Sequence, residues 1–348
     1  MVTTKHLGVV GWYLSAAAAL VVAVLVGAMI GPAGPPAWRV PLALIDHLPL
    51  IDIDSGVTDA EWAIIWQIRM PRVVLGGLVG GMLAVAGSSY QGVFRNPLVD
   101  PYLLGAASGA GLGATIALTV GRSATESWSF DPVVVVAFIV SVVTVLVTYL
   151  VGGAFGGRAQ SGATLVLAGV AVVSFTTAIQ TFLLQRNVDR VQEVYSWILG
   201  RLSTATWDDV TLVLPYVAVS VLVLMLHRRH LDVMRVGDDE AATLGMNVRR
   251  TRLIIIVAAT LGTAAVVSVS GLIGFVGLII PHMIRIAAGV GYRRLIPLSM
   301  LIGGAFLILA DVPGRVLTSP AETPIGVVTA FLGAPFFIVL LRMRRIGP

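Results

Sequence analysis

LIIIVAATLGTAAVVSVSGLIGFVGLII, Leu253 to Ile280, runs for 28 residues without a charge. A membrane-crossing helix needs about 20 mostly apolar residues, so the stretch is too long for one crossing and too short for two. A second crossing must therefore continue through Pro281, His282 and Arg285. The break falls at Ser268-Val-Ser-Gly271, where serine and glycine weaken a helix. One span or two here decides whether the chain crosses an odd or an even number of times.

On either side, apolar runs lie at roughly 11–30, 73–90, 102–120, 132–152, 164–184, 211–226, 296–311 and 325–341. With 253–270 and 274–291 they make ten, and the chain is expected to be an all-α polytopic membrane protein, one transmembrane domain over 1–348. Composition agrees: 57% of the 348 residues are hydrophobic and only 12% charged, against about 25% charged in a soluble domain. The apolar run Leu7 to Ile30 is longer than the roughly 7–15 residue core of a signal peptide and reads as an uncleaved first span.

Ten spans put both termini on one side. With that side taken as cytoplasmic, 15 of the 23 basic residues fall inside and 13 of the 18 acidic residues outside. The positive-inside rule therefore places both termini in the cytoplasm. Small residues recur at helical spacing: Gly76 with Gly80, Gly77 with Gly81, and Gly105, Gly109 and Gly113. Such rows let helix backbones approach closely in a bundle.

Several kinds of chemistry are excluded. There is no cysteine, hence no disulfide, thiolate metal site or thiol nucleophile. Lys5 is the one lysine, so no G-x-x-x-x-G-K-[ST] phosphate loop exists and the chain cannot be its own ATPase. The span middles carry no charge; Arg285, His282, Asp311 and Glu322 sit near span ends. Ion-driven carriers place ionisable groups or broken helices near the midplane. A carrier working alone, or an intramembrane enzyme with His282 and Asp311 as acid and base, is the weaker reading. No catalytic, metal or nucleic-acid site is expected, and the pathway reads as passive, energised by another subunit.

Four segments stand out. Val236 to Asn247 predicts a short helix capped by Asp238, with Asp239 and Glu240 in its first turn, Ala241 and Leu244 continuing it, and Gly245 ahead of Met246 stopping it. It reads as a solvated connector or as a docking helix for a cytoplasmic partner. Arg69 and Arg72, before the second span, and Arg315, before the tenth, are outer cations, either anchored at lipid headgroups or facing an acidic soluble partner. Gln91 to Gly105, with Pro97 and Pro101, must be a structured turn in which Asn96 and Asp100 satisfy loose backbone groups. In Gly271 to Arg285, Gly271, Gly274 and Gly277 mark a bend and a close-packed start, Arg285 snorkels to headgroups, and His282 bonds between helices as a structural residue.

The order Arg69-Met-Pro-Arg72, Arg95-Asn-Pro-Leu98, Asp100-Pro101, Leu104-Gly105 and Ser108-Gly-Ala110 resembles the permease subunits of type II ABC importers for iron chelates, haem and cobalamin. Leu167-Ala-Gly-Val170, Trp197-Ile-Leu-Gly200, Leu244-Gly-Met246, Gly271 to Arg285, Glu322 to Thr329 and Gly333-Ala-Pro-Phe336 continue the match. The resemblance implies a ten-helix permease in a bacterial inner membrane, paired with a second copy or a sister permease. It implies two cytoplasmic ABC ATPases that bind the ATP, an extracytoplasmic substrate-binding protein, and no cofactor in the permease. It also implies ATPase coupling at Asp238 to Asn247 and binding-protein docking at Arg69, Arg72 and Arg315. A cytoplasmic gate is implied at Ser161, Gly162 and Ala163, where small residues replace a hydroxyl pair of some relatives.

Overall fold

The computed structural model describes residues 8–47, 53–120, 131–155, 162–317 and 321–344. Among these every regular element is helical: α1 (Val9–Met29), α2 (Arg39–Asp46), α3 (Asp59–Ala63), α4 (Met70–Val93), α5 (Ala106–Val120), α6 (Pro132–Phe155) and α7 (Gly162–Arg186) come first. Then follow α8 (Val191–Ile198), α9 (Trp207–Met234), α10 (Asp238–Thr243), α11 (Val248–Ser270), α12 (Val276–Ala288), α13 (Tyr292–Val316) and α14 (Ile325–Arg344). Seven helical stretches are long and apolar enough to cross a membrane, and α5, α12 and α14 are shorter apolar helices. Together they are the ten expected membrane helices.

The break in the opening run falls where expected. α11 ends at Ser270, and Gly271 turns the chain with φ +70. No other residue fits there, because a Cβ would also lie 2.2 Å from the Trp197 carbonyl oxygen. The chain stays irregular to Phe275, which precedes α12 in the left-handed conformation. Tyr102 staples this segment: its hydroxyl donates to Ile273 O at 3.0 Å and accepts from Ile273 N at 3.1 Å. Gly277 is close-packed, its Cβ position 2.6 Å from Pro101. Gly274 is not, since nothing approaches its Cβ position within 4 Å.

Two helix starts lie further out than hydropathy places them. The second span does not begin near Val73: a π-helix, Ile64–Arg69, joins α3 to α4 in one rod from Asp59 to Val93. Thr58 Oγ1 accepts from Glu61 N, and Glu61 Oε2 accepts from Thr58 N, a reciprocal cap that starts the rod. Pro71, with no N–H to donate, lies just beyond the π-turn and is tolerated at a helix start. Thr206 and Asp209 make the same cap on α9, which begins at Trp207, before the polar Asp208 and Asp209.

α4 is the hub. It is buried on nearly every side, from Pro71 to Val93, as expected of a helix apolar all round. α13, α11, α12 and α9 surround it, and α1 packs outside α13. Of the glycine rows, Gly80 and Gly81 meet α13: Cβ atoms there would sit 2.3 Å from Gly303 O and 2.6 Å from Met300 Sδ. Gly76 and Gly77 have ordinary space. α5, α6 and α7 form a second group joined to the hub mainly through α11, with Gly109 and Gly113 seated against α6. α7 and α14 lie at the margin and expose large apolar side chains, among them Leu167, Phe175, Phe182, Phe331 and Ile338.

Candidate functional site

At one end of the bundle Arg69 and Arg72, from the rod that runs into α4, lie close to Arg315 at the end of α13. Arg69 ends the π-helix and donates to the carbonyls of Ala28, Met29 and Ala33 at the exit of α1. Arg72, one turn on, holds Asp311 of α13 by a fork, Nε at 2.7 Å and Nη2 at 2.8 Å, and reaches Glu322 with Nη1 at 2.7 Å. Arg315 donates through Nε to the same Asp311 at 2.7 Å and through Nη1 to Gly27 O at 2.8 Å. Two guanidiniums thus share one carboxylate, the bidentate geometry at which arginine excels.

All three are buried and already paired within the chain. Arg69, Arg72 and Arg315 are only 5%, 8% and 3% exposed, and Asp311 2%. Within this chain their N–H groups bind its own carboxylates and helix-end carbonyls, because a charge this close to the membrane must be paired. Asp311 is correspondingly a structural counter-ion, not half of an acid–base pair with His282. His282 lies elsewhere on α12, edge-on to Phe336 of α14, ring centroids 6.0 Å apart. Beside the arginines stands an aromatic ladder that hydropathy did not reveal: His47, Trp62 and Trp66 stack at centroid distances of 3.5 and 5.6 Å, and Trp207 meets Trp66 tilted by 40° at 5.1 Å.

At the opposite end, the turn after α4 is built as the prolines and Asx residues require. Asn96 Oδ1 accepts from Leu98 N at 2.9 Å and Asp100 Oδ1 from Tyr102 N at 2.8 Å, two turns that fold a side chain back on the backbone. Arg95 N bonds Gly92 O and Asn96 N bonds Gln91 O, the pairing that usually ends a helix on glycine. Here the left-handed residue is Arg95, φ +51, at a cost of about 1 kcal/mol relative to glycine.

The Arg95 guanidinium lies 3.6 Å from Asp238 of α10, and Arg252 of α11 holds the other oxygen of that carboxylate at 2.7 Å. Asp238 therefore does not cap α10. Gly237, φ +136, precedes the helix, and Asp238 is its first residue, turned sideways to the two arginines. Asp239 and Glu240 fill the first turn as expected. Gly245, φ +84, stops the helix through Gly245 N to Ala242 O and Met246 N to Ala241 O. Ala241 is buried against the bundle, while Leu244 is 72% and Val236 60% exposed.

Pro281 and Arg285 belong to this end too. Pro281 cannot donate to Gly277 O four residues back. Gln91 Nε2, from α4, takes that carbonyl at 3.0 Å, and Gln91 Oε1 accepts from Arg285 Nη1. Arg285 is thus turned into the protein, its Cζ 6.0 Å from the Tyr292 ring, and does not snorkel outward. Of the expected gate, Ser161 lies outside the described residues and Gly162 opens α7. Among the described residues no group of His, Asp and Glu is arranged to hold a metal ion.

Comparison with known proteins places this arrangement. The profile of the FecCD transport family matches residues 15–343. The cobalamin import system permease protein BtuC of Halobacterium salinarum is 39% identical over 300 residues, 84% of this chain and 77% of the relative. The hemin transport system permease protein HmuU of Yersinia pestis is 36% identical over 294 residues, 84% of this chain and 87% of the relative. Among solved structures, an ABC transporter assigned to the metal-chelate type, in an inward-facing conformation, superposes with a TM-score of 0.81 at 27% identity, covering 95% of this chain and 98% of that one.

Proposed function

The chain belongs to the FecCD transport family of ABC importer permeases, and on that premise we propose that it is the membrane-spanning half of an ATP-driven importer of a metal chelate. Ferric siderophore, haem and cobalamin are the candidate substrates. The relatives include permeases named for cobalamin, hemin and ferric dicitrate, so the class is proposed and not one member of it. Two copies, or this chain and a sister permease, flank the pathway. Two ATPase subunits in the cytoplasm bind the ATP, and a binding protein delivers substrate from the other side. Both termini then lie in the cytoplasm, with α10.

The observation that carries this reading is α10 itself. It is a short helix pinned through Asp238 and stopped by a glycine cap, with Leu244 and Val236 left exposed for a partner. ATP-driven closure of the ATPases would move α10 as a rigid body. Asp238 would pass the motion to α11 through Arg252 and to the end of α4 through Arg95. On the outer face, an acidic binding protein reaching Arg69, Arg72 or Arg315 would have to exchange with Glu322, the carboxylate of that cluster with 29% side-chain exposure.

The test is reconstitution with the ATPase and binding protein. Leu244→Asp leaves the bundle folded, since Leu244 touches little of it, and is expected to lower ATPase association and transport about tenfold or more. Transport that persists without an ATPase, driven by an ion gradient, would instead establish a carrier working alone.

A further inference from the structure

Four helix ends meet at the α10 end of the bundle: the last turns of α4, α9 and α12 and the first of α13. They enclose a cavity of about 240 Å³ with Arg95, Arg235 and Arg285 in its wall, together with Gln91, Asn96 and Tyr292. No carboxylate lines it. The two nearest by chain contact are engaged elsewhere. Asp232 accepts from the backbone N–H of Tyr292 at 2.8 Å and of Arg293 at 3.4 Å. Asp238 is bound by Arg252 at 2.7 Å and lies 3.6 Å from Arg95, too far for a hydrogen bond.

The three guanidiniums are underused. Arg285 gives one N–H to Gln91 and reaches the Tyr292 hydroxyl, leaving further N–H groups, and Arg235, which is exposed, makes no hydrogen bond or ion pair among the described residues. Arg95 is held at the cavity in a left-handed backbone conformation that glycine would adopt without strain. Three like charges around one opening repel unless an anion joins them. Planar guanidinium forks match the oxygens of a phosphate group, and basic pockets between membrane helices are where lipid headgroups bind.

We propose that this cavity binds a phosphate group, carried either by an anionic lipid headgroup or by a small soluble phosphate. The bound group draws Arg95 away from Asp238, so occupancy alters how firmly α10 is tied to α4. The site stands on its own geometry and does not depend on which substrate crosses the membrane.

Two arms distinguish the sources, both on the full chain. In the first, purified protein in neutral detergent is titrated with inorganic phosphate against chloride at equal ionic strength, and binding is read by calorimetry. In the second, the protein is placed in nanodiscs of phosphatidylcholine with or without phosphatidylglycerol, and the retained lipid is read by native mass spectrometry. Saturable phosphate binding assigns a soluble ligand, and selective retention of phosphatidylglycerol assigns a headgroup. In the arm that binds, Arg235→Gln is expected to weaken binding about tenfold, and Arg95→Gln with Arg235→Gln to weaken it further. Unfolding of the ligand-free protein should be unchanged by Arg235→Gln. Arg249→Gln removes an exposed charge that does not line the cavity, as a control. The proposal is overturned if neither ligand binds, if the cavity variants bind as wild type does, or if Arg249→Gln weakens binding as much as Arg235→Gln.

Discussion

Asp311→Asn removes one charge from the outer cluster while keeping the side chain's shape. In the wild type that carboxylate accepts three charge-assisted hydrogen bonds at 2.7 to 2.8 Å, two from Arg72 and one from Arg315. At an effective dielectric of about 20, each charge pair near 4 Å contributes about 4 kcal/mol of Coulomb attraction. Desolvation of the ions offsets much of this in the intact cluster, but deleting one member leaves the others buried and uncompensated, at a net cost of about 3–5 kcal/mol. Arg72 retains Glu322, whereas Arg315 is left with the carbonyls of Gly27 and Ile30. Equilibrium unfolding in mixed detergent micelles should therefore show a loss of about 3–5 kcal/mol. Glu322→Gln should cost about 1 kcal/mol or less, because that carboxylate is partly exposed and has one partner. Replacing all three groups by apolar residues, Arg72→Met, Asp311→Leu and Arg315→Met together, should recover most of the loss. An Asp311→Asn protein within about 0.5 kcal/mol of wild type, the range of an ordinary surface change, would show that Asp311 is not the counter-ion of the two arginines; so would a triple variant less stable than the single one.

Packing and pH offer independent checks. Gly80→Ala places a Cβ 2.3 Å from Gly303 O and 2.6 Å from Leu307 Cβ, forcing α4 from α13, and should destabilise by about 1–3 kcal/mol. Gly77→Ala meets only the flexible end of Ile308 at 3.4 Å and should be neutral or slightly stabilising in the same unfolding assay. Burial pushes the Asp100 carboxyl up to about 6, against the opposing pull of its bond from Tyr102 N–H. The folded value lies above the usual one near 3.9. The associated stability is therefore full below about pH 4, is lost as pH rises through about 6, and is flat beyond. Asp100→Asn, which keeps the acceptor for Tyr102 N, should abolish that slope in thermal unfolding measured across pH.

Membrane class and span count were legible because hydrocarbon imposes length and apolarity on each crossing, whatever the helices later touch. The Ser268–Gly271 break, the Asn96 and Asp100 turns and the Gly245 stop were legible for a local reason: each rests on backbone conformations that few residue types favour. The outward extension of the second span was also written in Thr58-Asp-Ala-Glu61, a capping pattern that a hydropathy reading passes over. Asp238 was misplaced by one position because Gly237 serves the cap position, and the aspartate is drawn instead to Arg252, 14 residues on.

The pairings that the linear pattern does not show are mostly between residues remote in sequence. Arg72 and Asp311 are 239 residues apart, and Gln91 and Arg285 are 194. Before the helices pack, an arginine near a span end is equally a headgroup anchor, a docking contact or half of an ion pair. The linear chain determined how many apolar helices are long enough to pair into a membrane bundle and where the main breaks between them fall. Helix packing settles which charges neutralise one another, that Gln91 takes the carbonyl Pro281 leaves free, and that three arginines surround one cavity. Hydropathy and backbone preference act within a few residues, whereas charge pairing depends on which helix faces come together in space.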